Sequence, residues 1–154
     1  HRRRLYNLTL LPRSGTISTP FLTAEFQLPK KKKITPNPSG SQLHAQRISE
    51  LMLEKKALDI KIIDVRNITT LTDFFVICTS DSEPQSRAIT DHVNLTMKTE
   101  GHASWHTEGY QYLDWVLVDF VNIVVHIFSK TAREYYEFER LWADGTITEV
   151  QDEV

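Results

Sequence analysis

Residues 108–144 read EGYQYLDWVLVDFVNIVVHIFSKTAREYYEFERLWAD, and this stretch holds the longest apolar runs and the densest aromatics of the chain. Two runs, 115–120 and 123–128, are rich in β-branched and aromatic residues and are separated only by Val121-Asn122. That pattern predicts a tight antiparallel hairpin. A helix is expected to follow at once. Thr131 can cap its N-terminus, with Glu134 three residues on completing a capping box, and Tyr135, Phe138, Leu141 and Trp142 recur at helical spacing up to about Gly145.

Upstream of this unit the periodicity alternates between strand and helix. Ser39 and Gln42 form a further candidate capping box, and Ala45, Ile48, Leu51 and Met52 mark an amphipathic helix running to about Leu58. Residues 60–65 read as a strand. Residues 74–79 read as a second, whose unbroken hydrophobicity argues for burial on both faces. Ser82, Pro84 and Gln85 signal a helix start, with Ile89, Val93 and Met97 as its apolar stripe and Gly101 as its end. Residues 102–106 alternate as a short strand. The predicted order is α β β α β β β α, an α/β (α+β-like) fold built on a mixed five-stranded sheet flanked by helices.

The net charge of −2 over 154 residues conceals a division. Residues 1–42 hold eight Lys/Arg against one acid, a net +7, and five of the six prolines; the remainder holds ten basic against nineteen acidic residues, a net −9. A basic Pro/Ser/Thr-rich extension (1–42), expected to be disordered, therefore precedes an acidic folded domain (43–145) and a short acidic C-terminal tail (146–154). Residues 1–29, rich in Arg, Ser and Thr and nearly free of acids, also have the composition of an organellar transit peptide. Lys30 to Lys33 would be drawn to phosphate backbones, which leaves open a reading of the extension as an RNA anchor.

Catalytic chemistry finds little support in the spacing. His102 and His106 on one strand would stand about 13 Å apart, too far to share a metal ion. There is no HExxH, CxxC or EF-hand pattern and no nucleophile elbow, and the glycines cannot build a phosphate loop. Cys78, between Ile77 and Thr79 in an apolar run, reads as a buried, inert thiol. His126 reads as a core histidine ahead of a contact residue. Arg133, Glu137 and Arg140 read as a solvated helix face. No apolar run approaches the length of a membrane helix.

Five blocks, Thr72-Asp73-Phe74-Phe75-Val76-Ile77-Cys78-Thr79, Gln85-x-Arg87-Ala88-Ile89, Glu108-Gly109, Trp115-Val116-Leu117-x-Asp119 with Val124-Val125-His126-x-Phe128, and Arg133-Glu134-Tyr135-Tyr136-x-x-Glu139-x-Leu141-Trp142, keep an order and spacing that resembles the ribosomal silencing factor (Iojap) family. The resemblance covers residues 43–145. It implies a nucleotidyltransferase-like fold without catalytic residues, no cofactor and no metal. It further implies binding to the large ribosomal subunit through that subunit's universal protein number fourteen, a steric block to subunit joining, and a homodimer. Bacterial members act in the cytoplasm in translational repression, and organellar relatives in late large-subunit assembly. Glu108, Trp115, Asp119, His126, Tyr135 and Glu139 match the family blocks and carry chemistry suited to recognition, with Trp115 and Tyr135 as aromatic contacts, Asp119 and Glu139 as partners for basic groups, and Glu108 and His126 as orienting groups. The rival reading is a residual nucleotidyltransferase using Asp73 or Asp119 with a metal. Val121-Asn122 departs from the Gly-Asp common at the family's hairpin turn, and Ser80-Asp81-Ser82 from its Gly-Asn-Ser helix start.

Overall fold

Apolar residues spaced three and four apart bring one face of a first helix, α1 (Gly40–Glu54), onto the sheet through Ala45, Ile48 and Met52. The computed structural model describes residues 40–152; the cap at Ser39 and nearly all of the basic extension lie outside them. After α1 the chain forms β1 (Leu58–Asp64), β2 (Phe74–Ser80), α2 (Glu83–Thr99), β3 (His106–Glu108), β4 (Trp115–Asp119), β5 (Ile123–Ser129), α3 (Lys130–Tyr136), α4 (Phe138–Leu141) and β6 (Thr146–Val150). The strands make one mixed sheet in the order β3-β4-β5-β2-β1-β6, with β2 and β5 parallel and every other pair antiparallel.

Six strands stand where five were expected. The sixth, β6, comes from residues read as an acidic tail; it pairs along β1 from Thr146 opposite Asp64 to Val150 opposite Ile60. Its exposed, polar sequence carries no core-strand signal, because an edge strand is held by backbone hydrogen bonds more than by burial. All seven residues of β2 are buried, as its continuous hydrophobicity required.

The two faces of the sheet hold separate cores. On one, Val76, Cys78, Val116, Val118, Val125 and Ile127 meet α1 and α2. On the other, Phe75, Ile77, Trp115, Leu117, Val124 and Phe128 meet Ala132, Phe138 and Trp142 from α3, α4 and the turn that follows. Alternation along β2, β4 and β5 assigns each residue to its face.

The start of α2 follows the sequence reading. The Ser82 hydroxyl accepts from the Gln85 amide at 3.2 Å, and Pro84 stands in the first turn. Gln85 returns its bond to the Asp81 amide and also donates to the carbonyls of Lys55 and Lys56, tying α2 to the end of α1. The cap of α3 differs from expectation. It is Ser129, whose hydroxyl accepts from the Ala132 amide at 3.1 Å, because β5 runs straight into the helix and leaves Thr131 inside the first turn. The helix also breaks early. Glu137 takes the left-handed conformation (φ 48, ψ 51), ending α3 and restarting the chain as α4. The short strand after α2 is β3, at 106–108 and not 102–106, since Gly101 (φ 94) and the bond from His102 N to Met97 O still belong to the helix terminus.

The β4–β5 hairpin closes on Val121-Asn122 as predicted, with Phe120 N donating to Ile123 O at 2.8 Å. Without glycine, Val121 itself adopts φ 75, a strained value for a β-branched residue. The Asp119 carboxylate supports it by accepting from the Val121 amide at 2.7 Å.

Gly145 is required for a different reason. A Cβ there would stand 2.7 Å from the carbonyl oxygen of Asp64 and 2.9 Å from the Ile63 side chain. Gly145→Ala is therefore expected to push β6 from β1 and cost about 1–3 kcal/mol, measured as a lower urea midpoint; an unchanged midpoint would show that the edge can shift freely.

Candidate partner-binding surface

The aromatic centre of the hairpin is an enclosed cluster. The Trp115 indole donates from Nε1 to His126 Nδ1 at 2.8 Å and lies 4.9 Å from the Phe128 ring and 4.7 Å from that of Tyr136, centroid to centroid. Phe138 sits 4.3 Å from His126 and 5.1 Å from Phe75. Trp115 is 4% exposed, and Asp119 and His126 are fully buried. Three of the six residues expected to touch a partner are thus core residues. Their physical role is fixed by strand alternation: Trp115, Leu117 and Asp119 pair with Phe128, His126 and Val124 on the face that α3 and α4 cover.

Because His126 accepts through Nδ1, its own proton is on Nε2 and the ring is neutral. Burial pushes its pKa down to about 3. Cys78, also fully buried, is pushed up to about 12 by burial, partly opposed by the Arg133 guanidinium, and holds no thiolate at neutral pH.

Glu139 belongs to an ion network. Arg133, read as solvated from the sequence, is 7% exposed; it donates to Glu139 from Nε at 3.1 Å and Nη2 at 3.0 Å, and to the Thr79 hydroxyl from Nη1 at 2.7 Å. Lys61 on β1 reaches the same Glu139 carboxylate at 3.0 Å, and Asp59 approaches Arg133 at 3.3 Å. Burial alone would raise the Glu139 pKa, but the Arg133 and Lys61 hydrogen bonds overcome it and hold the carboxyl at about 2. The helix kink makes this possible by turning Arg133 and Glu139 toward each other across Glu137.

Both shifts act in the same direction with pH. His126 binds its proton more readily when unfolded, so its contribution is complete above about pH 6.5 and erodes as pH falls toward 3. Glu139 contributes above its ordinary value of 4.5 and loses that contribution as pH falls toward about 2. Stability is expected to fall on acidification from about pH 6.5 to 4, by at most ~1.4 kcal/mol per pH unit for each proton taken up. Urea midpoints that stay flat over this range would refute the assignment.

Of the expected contact residues Tyr135 is exposed, while Glu108 and Glu139 reach the surface in part, with side chains 27% and 25% exposed. Tyr135 is 48% exposed, while its neighbour Tyr136 turns in against Trp115, resolving which of the pair faces the core. Glu108 lies half-buried on β3, accepting from His106 Nε2 at 2.9 Å. Further exposed apolar groups flank β3 in the chain, Trp105 before it and Tyr112 after it at 74% exposure, and Leu95 of α2, at 67%, lies beside Ala103 and Ser104. The connection from β3 to β4 is pinned to α2, with the Tyr110 hydroxyl on Asp91 at 3.0 Å and the Arg87 guanidinium over the Tyr110 ring.

The rival catalytic residues are both committed to structure. Asp73 accepts from the Ser41 hydroxyl at 2.8 Å, and Asp119 supports the hairpin turn. Among the described residues no group of three or more His, Cys, Asp or Glu is placed to hold a metal ion.

The described residues form an α/β domain, a mixed six-stranded sheet flanked by helices, with Tyr135, Trp105, Tyr112 and Leu95 among its exposed side chains and Trp115, Asp119 and His126 held in its interior. The family model "Ribosomal silencing factor during starvation" matches residues 38–154. Ribosomal silencing factors of Halalkalibacterium halodurans and Bacillus subtilis are 36% and 35% identical over 98 and 97 residues, covering 64% and 63% of this chain and 84% and 82% of those proteins. The mouse protein "Mitochondrial assembly of ribosomal large subunit protein 1" is 28% identical over 156 aligned residues, covering 90% of this chain and 67% of its own. A crystal structure from Chromobacterium violaceum superposes with a TM-score of 0.65 at 31% identity, covering 66% of this chain and 85% of that one. The chain belongs to the ribosomal silencing factor family, and its role lies in ribosomal silencing or assembly.

Proposed function

We propose that this protein binds the large ribosomal subunit through that subunit's universal protein number fourteen and sterically blocks joining of the small subunit, so repressing translation. The observation that carries the reading is the family match across residues 38–154. Charge supports it: a net −9 over residues 43–154 favours a basic ribosomal protein over bare RNA as the partner. On this reading Tyr135 and Glu108 make direct contacts, and Trp115, Asp119, His126 and Glu139 set the geometry of the hairpin and helix that present them. A homodimer, and a nucleotidyltransferase-like fold without catalytic residues, belong to the same proposal.

A second setting is favoured by the mouse relative, whose alignment spans nine-tenths of this chain. There the same docking would serve late assembly of the large subunit in an organelle, with residues 1–29 acting as a transit peptide; in a bacterium it would take place in the cytoplasm. Co-sedimentation with isolated large subunits tests the core of the proposal. The protein is expected to pellet with large and not small subunits at moderate salt and to reduce formation of joined ribosomes; failure to pellet would sink it.

A further inference from the structure

Two histidines from distant parts of the chain meet where α1 packs against the end of α2. His44 of α1 and His102 have ring centroids 3.8 Å apart with planes tilted by 50°. His102 occupies a defined place in a helix terminus: Gly101 is left-handed, its amide bonds to Lys98 O at 3.0 Å, and the His102 amide bonds to Met97 O at 2.7 Å. This is a Schellman motif, in which the residue after glycine commonly makes an apolar contact. Here that contact is another imidazole.

His44 is half-buried and His102 exposed. The charged group that acts on the pair is Glu100 at the end of α2, which Arg47 of α1 engages, and the hairpin faces it with the uncharged Phe120, Asn122 and Ile123. Beyond them, Glu50 is paired to Arg47 at 3.3 Å, and Asp73 is bound by the Ser41 hydroxyl one helical turn from His44. Glu100 is already engaged by Arg47 through three contacts, of 3.2, 3.1 and 2.8 Å, so its charge is largely compensated. Burial first, and the nearby His102 second, lower the pKa of His44, with Glu100 opposing.

We propose that the His44–His102 pair is a proton-operated clasp, which holds α1 to the α2–β3 connection while at least one ring is neutral and releases that connection when both are protonated. Like charges at this separation repel strongly when little counter-charge remains. What is released is specific. Residues 102–105 lead directly to Trp105, whose amide donates to Asp119 O at 2.7 Å and begins the pairing of β3 with β4. Opening the clasp acts first on the α2–β3 connection and the edge strand it leads to.

Amide hydrogen exchange, corrected for its intrinsic pH dependence, tests this in the intact chain. Between about pH 7 and 5 the protection of the Trp105 amide is expected to fall roughly tenfold more than that of Val76 and Val125, which report global opening and carry the His126 effect. In His44→Phe, which keeps the ring contact and removes one charge, the excess should vanish. An excess that persists in the variant, or is absent from the parent protein, overturns the clasp. Should the variant fail to fold, ring titration by NMR decides: the His44 midpoint is expected to rise in His102→Gln, and an unchanged midpoint overturns the proposal.

Discussion

Arg133→Met is expected to lower the unfolding free energy by about 3 kcal/mol, although sequence spacing places this residue on a solvated helix face. The residue is 7% exposed, and its guanidinium satisfies three elements at once: Glu139 of α4, Thr79 of β2 and Asp59 of β1. Methionine preserves much of the stem packing, so the loss isolates the charge and its hydrogen bonds. Removing one partner of a buried pair also leaves the other in a poorly solvated site, where burial raises the Glu139 pKa and Lys61 and a backbone hydrogen bond remain to oppose it. Two readouts follow. The urea midpoint should fall, and the Glu139 carboxyl, followed by NMR, should titrate above its present value near 2. A stability loss below about 1 kcal/mol would mean that the network behaves as an ordinary surface pair.

The second large effect concerns Trp115. Trp115→Ala should cost about 3–5 kcal/mol, the range for deleting a large aromatic from a packed core. It removes the contacts with Phe128 and Tyr136 and leaves His126 Nδ1 without its donor. Trp115→Phe should cost less, since the ring contacts survive and only the indole hydrogen bond is lost, a difference of roughly 1–2 kcal/mol. Thermal unfolding of both variants checks the order. The pair also separates structure from recognition. If Trp115 acts through the fold, loss of large-subunit binding should follow loss of stability; a stable Trp115→Phe protein that no longer binds would restore Trp115 as a direct contact.

Much of the architecture was legible because it follows short-range rules. The strands around Phe75 and Val125 and the capped start of α2 at Ser82 each rest on a local pattern of period, punctuation or polar side chain. The exceptions share a cause. β6 carries no core period, because an edge strand recruited by the backbone of β1 needs none. The break at Glu137 has no glycine to announce it; packing of Phe138 and Trp142 against Phe75 outweighs the cost of a left-handed glutamate. Ser129 displaced Thr131 as the cap because the end of β5 fixed where the helix could begin.

The candidate surface was less legible than the fold. The six candidate contact residues divide into those that reach solvent, Tyr135 and, in part, Glu108 and Glu139, and those that do not, Trp115, Asp119 and His126. Residue type alone cannot make that division, since a tryptophan anchors a core and an interface by the same burial of apolar area. Trp105, Tyr112 and Leu95 were missed because they come from a loop, another loop and a helix.

The amino-acid sequence by itself determined the family, the central strands, the division between a basic extension and an acidic domain, and the inert setting of Cys78, since each is written in composition or in periods of a few residues. Tertiary structure alone decided that Arg133 is buried, that Trp115 holds the core and that His44 meets His102, because burial and contact between distant residues depend on which faces the completed sheet leaves open.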